Sequence, residues 1–472
     1  MAIINARSPY YVSITNNTIS YATLDISIWS GSSATVATEN TSYSLKKSIH
    51  TTETKVSFEI SQLVRDDLDV NFDGNYTTSA TSDGGAKWVK TIIKAFNSSN
   101  AQVGSTVTET NIAFDGYGYF EEGSSFTMAN DSLFASVGDI FLPKFGDSNI
   151  AIYTGNNPTV LLKDIAGATV DTSTFTSSVQ SADQIKYVSL YPELITNLGF
   201  DDSSDWTIQS NDVIEDGLLY IKGQSGARYS NTFTPVIGKS YILNFIISEY
   251  ESGYLGVRNV NTGAYLINNI SSVGSYSIQF TMSASELVRF WVDTSFDGAM
   301  DNVSVKEVYD VSKITVSDSQ GVANANVKQV QECKFKPHKV TFVNKNGVLD
   351  DMYFFKKSTD SMTTKRESYN ANTIKADNTY SINQHNKREF NITANSMVKL
   401  SSGYLNESSN EKFKQLLLSE KVWITRTFKN SEPVLPINIK TSSISYKTSL
   451  NDKLVDYTIE FNDSYNAINN IR

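Results

Sequence analysis

The feature that most restricts this chain is a side-chain period of two that recurs at regular spacing. Ala22, Leu24, Ile26 and Ile28 alternate with Thr23, Asp25, Ser27 and Trp29, the pattern of a strand with one buried face. Val56, Phe58 and Ile60 repeat it, and Trp88–Phe96 and Val103–Phe114 flank Asn97-Ser-Ser-Asn100 as a hairpin. A helical period is convincing in one place, near 409–419. There Ser408-Ser-Asn-Glu411 has capping-box spacing, and Phe413, Leu416 and Leu417 share a face. A brief helical turn is also expected at Leu63-Val-Arg65. The fold class expected is mainly β.

Three blocks of strands are expected in 472 residues, at ~150 residues per domain. Residues 1–125 carry about seven strands, which suits an immunoglobulin- or fibronectin-like β-sandwich. Residues 194–308 read as a compact all-β module of about a hundred residues. The strands Ile185–Leu190 before it and Ile314–Val316 after it look like parts of one interrupted body. The module is therefore expected to be an insertion, and 126–193 with 309–472 a single β-rich body. In that body Val340–Val343 and Val348–Phe355 form a hairpin through Asn344-Lys-Asn-Gly347, where Asn346-Gly347 favours a type I′ turn. A last hairpin pairs Ile437–Tyr446 with Leu454–Phe461 around Asn451-Asp452.

Charge and cysteine usage exclude several classes. A net charge of −10 argues against nucleic-acid binding, which needs a basic surface. Residues 194–308 hold six Lys/Arg against thirteen Asp/Glu, so most of the negative charge sits in this quarter of the chain. Cys333 is the sole cysteine, so no intrachain disulfide can form. No secretory signal is expected at the N-terminus, and no run approaches the ~20 apolar residues of a membrane span. Membrane insertion is not expected.

The module's aromatic and planar polar residues suggest sugar binding, because C–H-lined sugar faces stack on rings and hydroxyls pair with planar groups. The candidates are Tyr250, Tyr254, Trp291, Arg258, Tyr229 and Tyr265. Tyr250 and Tyr254 lie in the loop-like Glu249-Tyr-Glu-Ser-Gly-Tyr254. The alternative for a tryptophan is the core. It is favoured for Trp206 and evenly balanced for Trp291, whose neighbours Phe290 and Val292 would face the other way. Asn197-Leu-Gly-Phe-Asp201, Trp206, Gly238-Lys-Ser-Tyr-Ile-Leu243 and Asp301-Asn-Val-Ser-Val305 together resemble a carbohydrate-binding module of the jelly-roll type. That resemblance implies two packed antiparallel sheets and a glycan ligand. It also implies a structural calcium near the module's ends, with Asn197, Asp201 and Asp301 as its donors.

No catalytic signature accompanies these residues, and no enzymatic activity or required cofactor is expected. Asp69-Val-Asn-Phe-Asp-Gly74 matches half of a calcium loop, but the twelfth position is Ala80 rather than Glu, so ordinary turn chemistry is favoured. His50, His338 and His385 have no metal-ligand spacing, and nothing marks a carboxylate pair of the glycosidase kind.

Further along, Lys339-Val-Thr-Phe-Val-Asn-Lys-Asn-Gly347, Leu416-Leu-Leu-Ser-Glu-Lys-Val-Trp-Ile424, Asn451–Phe461 and Ile468-Asn-Asn-Ile-Arg472 resemble virion proteins of tailed phages infecting Bacteroidota, especially flavobacteria. The resemblance covers roughly 310–472. It implies a tail or baseplate structural protein made in the host cytoplasm and carried in the virion. Its implied partners are copies of itself in a ring, other tail proteins and host surface polysaccharide. The rival expectations are a polysaccharide-degrading tail enzyme and a bacterial surface adhesin.

Overall fold

The computed structural model describes residues 3–31, 33–35, 41–50, 52–74, 76, 85–124, 134–136, 138–154, 157–175, 185–223, 225–259, 263–282, 288–319, 321–332, 334–426, 434–445 and 454–468. Cys333, Ala80 and the Asn451-Asp452 turn lie outside them. The fold is mainly β, with short α-helices at Ser61–Arg65 and Asn410–Leu418 among the described residues.

The first block forms a five-stranded sheet in the order Ile3–Asn5, Gln102–Phe114, Ala86–Phe96, Tyr21–Trp29, Tyr43–Ser48. The pair Tyr11–Thr15 and Lys55–Glu59 forms a second, two-stranded sheet. Ile4, Leu24, Ile26, Val56, Phe58, Val89 and Ile93 are buried together in one core, the apolar half of each alternating strand. Trp88 is fully buried, and its Nε1 donates to the Gly31 carbonyl at 2.8 Å.

The body builds one sheet from both sides of the 194–308 segment. Thr159–Lys163 pairs antiparallel with Lys313–Ser317, and Val322–Val330 pairs parallel with Ile140–Pro143. A seven-stranded sheet follows, in the order Leu349–Phe354, His338–Val343, Val422–Thr425, Val434–Ile439, Thr458–Asn466, Lys387–Ser401, Thr359–Asn370. The helix Asn410–Leu418 lies on it through Phe413 and Leu416, with the Phe413 ring 4.7 Å from Tyr457 and 6.4 Å from Phe354.

The first block meets this body backbone to backbone. Tyr117 N–H donates to the Lys345 carbonyl at 2.7 Å, and a Cβ on Gly347 would stand 2.7 Å from both Gly116 N and the Phe114 Cβ. Gly347 has φ of +73°, so both space and conformation demand glycine there. Around this seam Tyr119 donates to Glu411 at 2.6 Å, and Arg65 pairs with Glu420 at 2.5 Å.

Two local expectations need correction, and a third holds in part. Asn346 is not among the residues with positive φ, so the 344–347 turn is not type I′. Gly347 N–H donates to Asn344 O at 3.0 Å and Asn344 N–H to Val348 O at 2.9 Å, a type I turn closed by a left-handed glycine. The Asn344 side chain selects it by accepting from Asn346 N–H at 2.9 Å. The capping box is not made either. Glu411 accepts from Tyr119 and Gln415, and Ser408 donates to Asp139 at 3.2 Å. The last hairpin is formed at its base, where Ile439 stands opposite Phe461 and Lys440 N–H donates to Glu460 O at 2.8 Å, whereas Leu454–Val455 pairs with Leu405–Asn406.

One element projects from the body, with only the base of its second strand (Ala394, Val398 and Leu400) buried. The hairpin of Thr359–Asn370 and Lys387–Ser401 joins the seven-stranded sheet only through residues 395–401, which pair with Thr458–Asn466. All twelve residues of its first strand are exposed, as are residues 387–392 of its second. Its tip is closed by Lys375 N–H to Thr379 O at 2.9 Å, and Ile374, Tyr380 and Ile382 project there at 63%, 69% and 88% exposure.

Candidate functional site

Residues 194–308 fold as two five-stranded sheets packed face to face. One runs Trp206–Thr207, Gly226–Ser230, Val288–Val292, Leu255–Asn259, Tyr265–Ile270. The other runs Val213–Glu215, Leu218–Lys222, Asp297–Val308, Ser240–Ser252, Gly274–Thr281. Phe200, Trp206, Phe245, Leu255, Val257, Phe290 and Val292 fill the space between them. Trp206 is core, and its Nε1 donates to the Asn197 carbonyl at 3.0 Å.

Strand pairing fixes what lies on the other side of the first sheet. Ala227, Trp291 and Gly256 stand opposite one another across three strands, as do Arg228, Phe290 and Val257 one step along. Because directly opposed residues share a face, burying Phe290 and Val257 turns Trp291, Gly256 and Ala227 outward. Two residues along each strand, Arg258, Arg289 and Tyr229 are on that outward face as well.

The outward side chains touch. The Arg258 guanidinium lies 3.3 Å from the Trp291 ring centre and 5.9 Å from that of Tyr265. Arg289 lies 4.9 Å from the Tyr229 ring centre. Two register shifts between Leu255–Asn259 and Tyr265–Ile270 bring Tyr265 over Gly256. A Cβ on Gly256 would stand 2.7 Å from the Tyr265 ring, so glycine is what lets the ring lie there. Tyr265 is 45% exposed, while Trp291, Arg258, Arg289 and Tyr229 are half-buried.

Of the six residues expected from sequence, Tyr229, Arg258, Tyr265 and Trp291 converge on this face. Tyr254 is exposed at its end, beside Asp293, which accepts from Tyr254 N–H at 3.2 Å. Tyr250 does not join them. The segment taken for a loop is the end of the long strand Ser240–Ser252 in the opposite sheet, and Tyr250 packs on the core with its hydroxyl on Gly253 O at 3.0 Å. Arg289 was missed, although its place two residues before Trp291 puts it on the same face once Phe290 is assigned to the core. Arg228, one residue from Tyr229, points the other way. It is fully buried and gripped by Asp212 through bonds of 2.7 and 2.6 Å.

The residues proposed for calcium lie at the module's ends. Asn197 Oδ1 accepts from Asp201 N–H at 2.6 Å, making a tight turn, and a Cβ on Gly199 would stand 4.0 Å from Asp301 Oδ1. Asp301 is buried, and burial pushes its carboxyl above the usual range, against the opposing pull of the Asn302 N–H. Its oxygens accept only from Asn302 among the described bonds, at 2.6 and 2.9 Å. A buried carboxylate without a cation is chemically suited to one, and hydrogen-bonded ligand oxygens are normal in such sites. Asp301 would hold the ion, with Asn197 and Asp201 supplying further oxygens; the ion would clamp the 197–201 turn to the last strand. Among the described residues no three His, Cys, Asp or Glu side chains gather as a metal cluster.

The module joins the body through a narrow neck. Glu193 and Lys306 form a bridge, Leu194 N–H donates to Val305 O at 2.9 Å, and Glu193 accepts from Val305 N–H at 2.5 Å and Ser304 at 2.7 Å. Tyr191 and Tyr309 stack at 4.9 Å below it. A cleft of about 810 Å³ beside the neck is lined by Asp147, Glu193, Asn197, Asp201, Lys306 and Lys336 among others. No described helix is long and apolar enough to cross a membrane.

No protein-family model matches the chain, and no curated protein matches it. Three solved structures show faint likeness. A biofilm-associated protein BSP domain is 10% identical, with 71% of this chain and 66% of that chain covered and a TM-score of 0.14. The native conformation of E. coli alpha-2-macroglobulin is 8% identical, with coverages of 97% and 39% and a TM-score of 0.16. SGBP-B of the Bacteroides ovatus mixed-linkage glucan utilization locus, in complex with a mixed-linkage heptasaccharide, is 13% identical, with coverages of 65% and 95% and a TM-score of 0.12. Scores this low carry no argument about fold or function, so the reading below rests on the residues alone.

Proposed function

We propose that this chain is a non-enzymatic structural protein of the tail or baseplate of a tailed phage, assembled from copies of itself, whose central sandwich contacts host surface polysaccharide. It would be made in the host cytoplasm and reside in the virion. The observation that carries the glycan contact is the outward face of Tyr229, Arg258, Tyr265, Arg289 and Trp291, where ring faces and planar donors lie within a few ångströms of one another. Such a face suits stacking and hydrogen bonding to sugars. The Asp293 carboxylate at the end of this face is occupied by Tyr254 N–H and Ser295, which favours binding over acid–base chemistry there. The assembly half is supported by the exposed hairpin and by the resemblance of residues 310–472 to virion proteins.

Purified full-length chain should co-sediment with polysaccharide from susceptible cells, and Trp291→Ala should weaken that binding by roughly tenfold, the scale of one lost stacking contact. Binding untouched by Trp291→Ala would reject this face. New reducing ends in the polysaccharide would replace binding with hydrolysis. Mass spectrometry of purified particles tests the virion assignment separately.

The calcium proposal has its own test. At neutral pH, millimolar calcium should raise the unfolding temperature of the wild-type chain and leave Asp301→Asn unmoved. Without calcium, the raised Asp301 carboxyl means the folded state binds its proton more tightly than the unfolded state. That contribution to stability should therefore grow as pH falls towards the ordinary carboxylate range and shrink as pH rises through the folded value. An equal calcium shift in Asp301→Asn would remove the site.

A further inference from the structure

The six cations of the 194–308 sandwich divide sharply. Lys222 pairs with Asp297 at 3.0 Å, Arg228 with Asp212 at 2.6 Å and Lys239 with Glu307 at 2.8 Å. Lys306 lies in the field of Glu193 and Asp147 at the neck. The remaining two are Arg258 and Arg289, and neither has a carboxylate partner among the described residues. They also stand directly opposite each other on neighbouring strands. Like charges so placed repel, and thirteen carboxylates were available in the same segment to relieve them.

Each guanidinium is instead held by a ring, Arg258 on Trp291 and Arg289 on Tyr229. Stacking uses the flat face of a guanidinium and leaves its in-plane N–H donors for another group. Arg289 Nε, itself buried, has no acceptor among the described residues. The pair is thus fixed in position and short of negative charge, on a face otherwise built of rings and of the small residues Ala227 and Gly256. The rest of the module is acidic and would repel a polyanion, so an anion that binds here is confined to this face.

We propose that this face selects an acidic polysaccharide, with the carboxylate of a uronic-type sugar bound between Arg258 and Arg289 and its ring lying against Tyr265 and Trp291. A planar carboxylate matches the guanidinium fork and neutralises the repulsion between the two arginines. The inference rests on the glycan-contact reading above and adds the chemical class of the sugar.

The test uses the full chain with three polymers: polygalacturonate, the same polymer after reduction of its carboxyl groups, and dextran sulfate. Polygalacturonate should bind at least tenfold tighter than its carboxyl-reduced form. Arg258→Gln and Arg289→Gln should each remove that preference while circular dichroism stays unchanged. Arg258→Lys, which keeps the charge and loses the fork, should fall between. Tyr265→Ala, at the exposed edge, should weaken both forms of the polymer alike. Equal binding of the reduced polymer would overturn the acidic-sugar inference and leave glycan contact standing. Dextran sulfate binding as tightly as polygalacturonate would overturn the carboxylate assignment in favour of general polyanion attraction. If no polymer bound, both readings would fall.

Discussion

Arg228→Met alone is expected to destabilise the central sandwich by about 3–5 kcal/mol, the scale for removing one member of a buried ion pair. Both side chains of the Arg228–Asp212 pair are fully buried, and the carboxylate takes two guanidinium bonds plus Gln209 N–H at 2.7 Å. Removing the arginine strands a charge away from water. Arg228→Met with Asp212→Leu should recover most of the loss, since the stranded charge leaves too; the Gln209 N–H then loses an acceptor, costing roughly 1–3 kcal/mol. Hydrogen exchange of the strand Gly226–Ser230 in the full chain reads the effect locally. A single variant losing under 1 kcal/mol would mean that water or another group reaches Asp212. The result bears on function, because Arg228 and Tyr229 are neighbours on one strand. The ion pair anchors that strand from inside while Tyr229 faces outward.

Cutting the free hairpin back should leave the fold intact and abolish self-assembly. The variant removes 365–393 and joins Thr364 to Ala394, which face each other, through a two-residue Asn-Gly turn. An isolated two-stranded hairpin is marginal in water, yet this one carries Met362, Tyr369, Ile374, Tyr380, Ile382, Phe390 and Ile392, all 42% exposed or more. A second copy of the chain is the occupant that fits best. Residues 359–401 hold six Lys/Arg and four Asp/Glu, a net +2, which leaves −12 on the remainder of a chain whose total is −10. The arm and the rest of a neighbouring copy therefore attract. Light scattering after size exclusion should show an oligomer for the wild type and a monomer for the variant. A variant that still assembles, or a wild type monomeric at micromolar concentration, would defeat this.

Local periodicity made much of the fold legible. The alternation at Ala22–Trp29 and the helix near Phe413 depend on residues a few positions apart, and those distances are what a sequence displays. Partners far along the chain are not displayed. Asn346-Gly347 is a strong local signal for one turn type, but the Asn344 amide and the backbone of Phe114–Gly116 impose another. Ser408 and Glu411 have capping spacing, yet Tyr119, 292 positions away, claims the glutamate.

The candidate site follows the same rule. Trp291, Arg258, Tyr229 and Tyr265 were found by residue type alone. Tyr250 misled because Glu249–Gly253 has turn composition while pairing with Asp297–Val308 extends the strand to Ser252. Arg289 was readable only by parity, after knowing which side of Phe290 is core. That neither arginine has a carboxylate partner among the described residues depends on contacts far apart in the chain, and no local pattern reports that.

The neck also bears on the order in which the chain can fold. The strands Thr159–Lys163 and Lys313–Ser317 must find each other across the whole central segment. While that segment is unfolded, it is a floppy loop of more than a hundred residues between them. Once it folds, the clasp of Glu193 with Ser304, Val305 and Lys306 brings its two ends side by side. The loop to be closed then shrinks to residues 164–193 and 306–312, about a quarter of its former length. By the logarithmic dependence of closure entropy on length, two halvings are worth roughly 1 kcal/mol to the body. The body thus gains from a sandwich that forms first, so a lesion deep in the central sandwich would slow the maturation of the body without touching it.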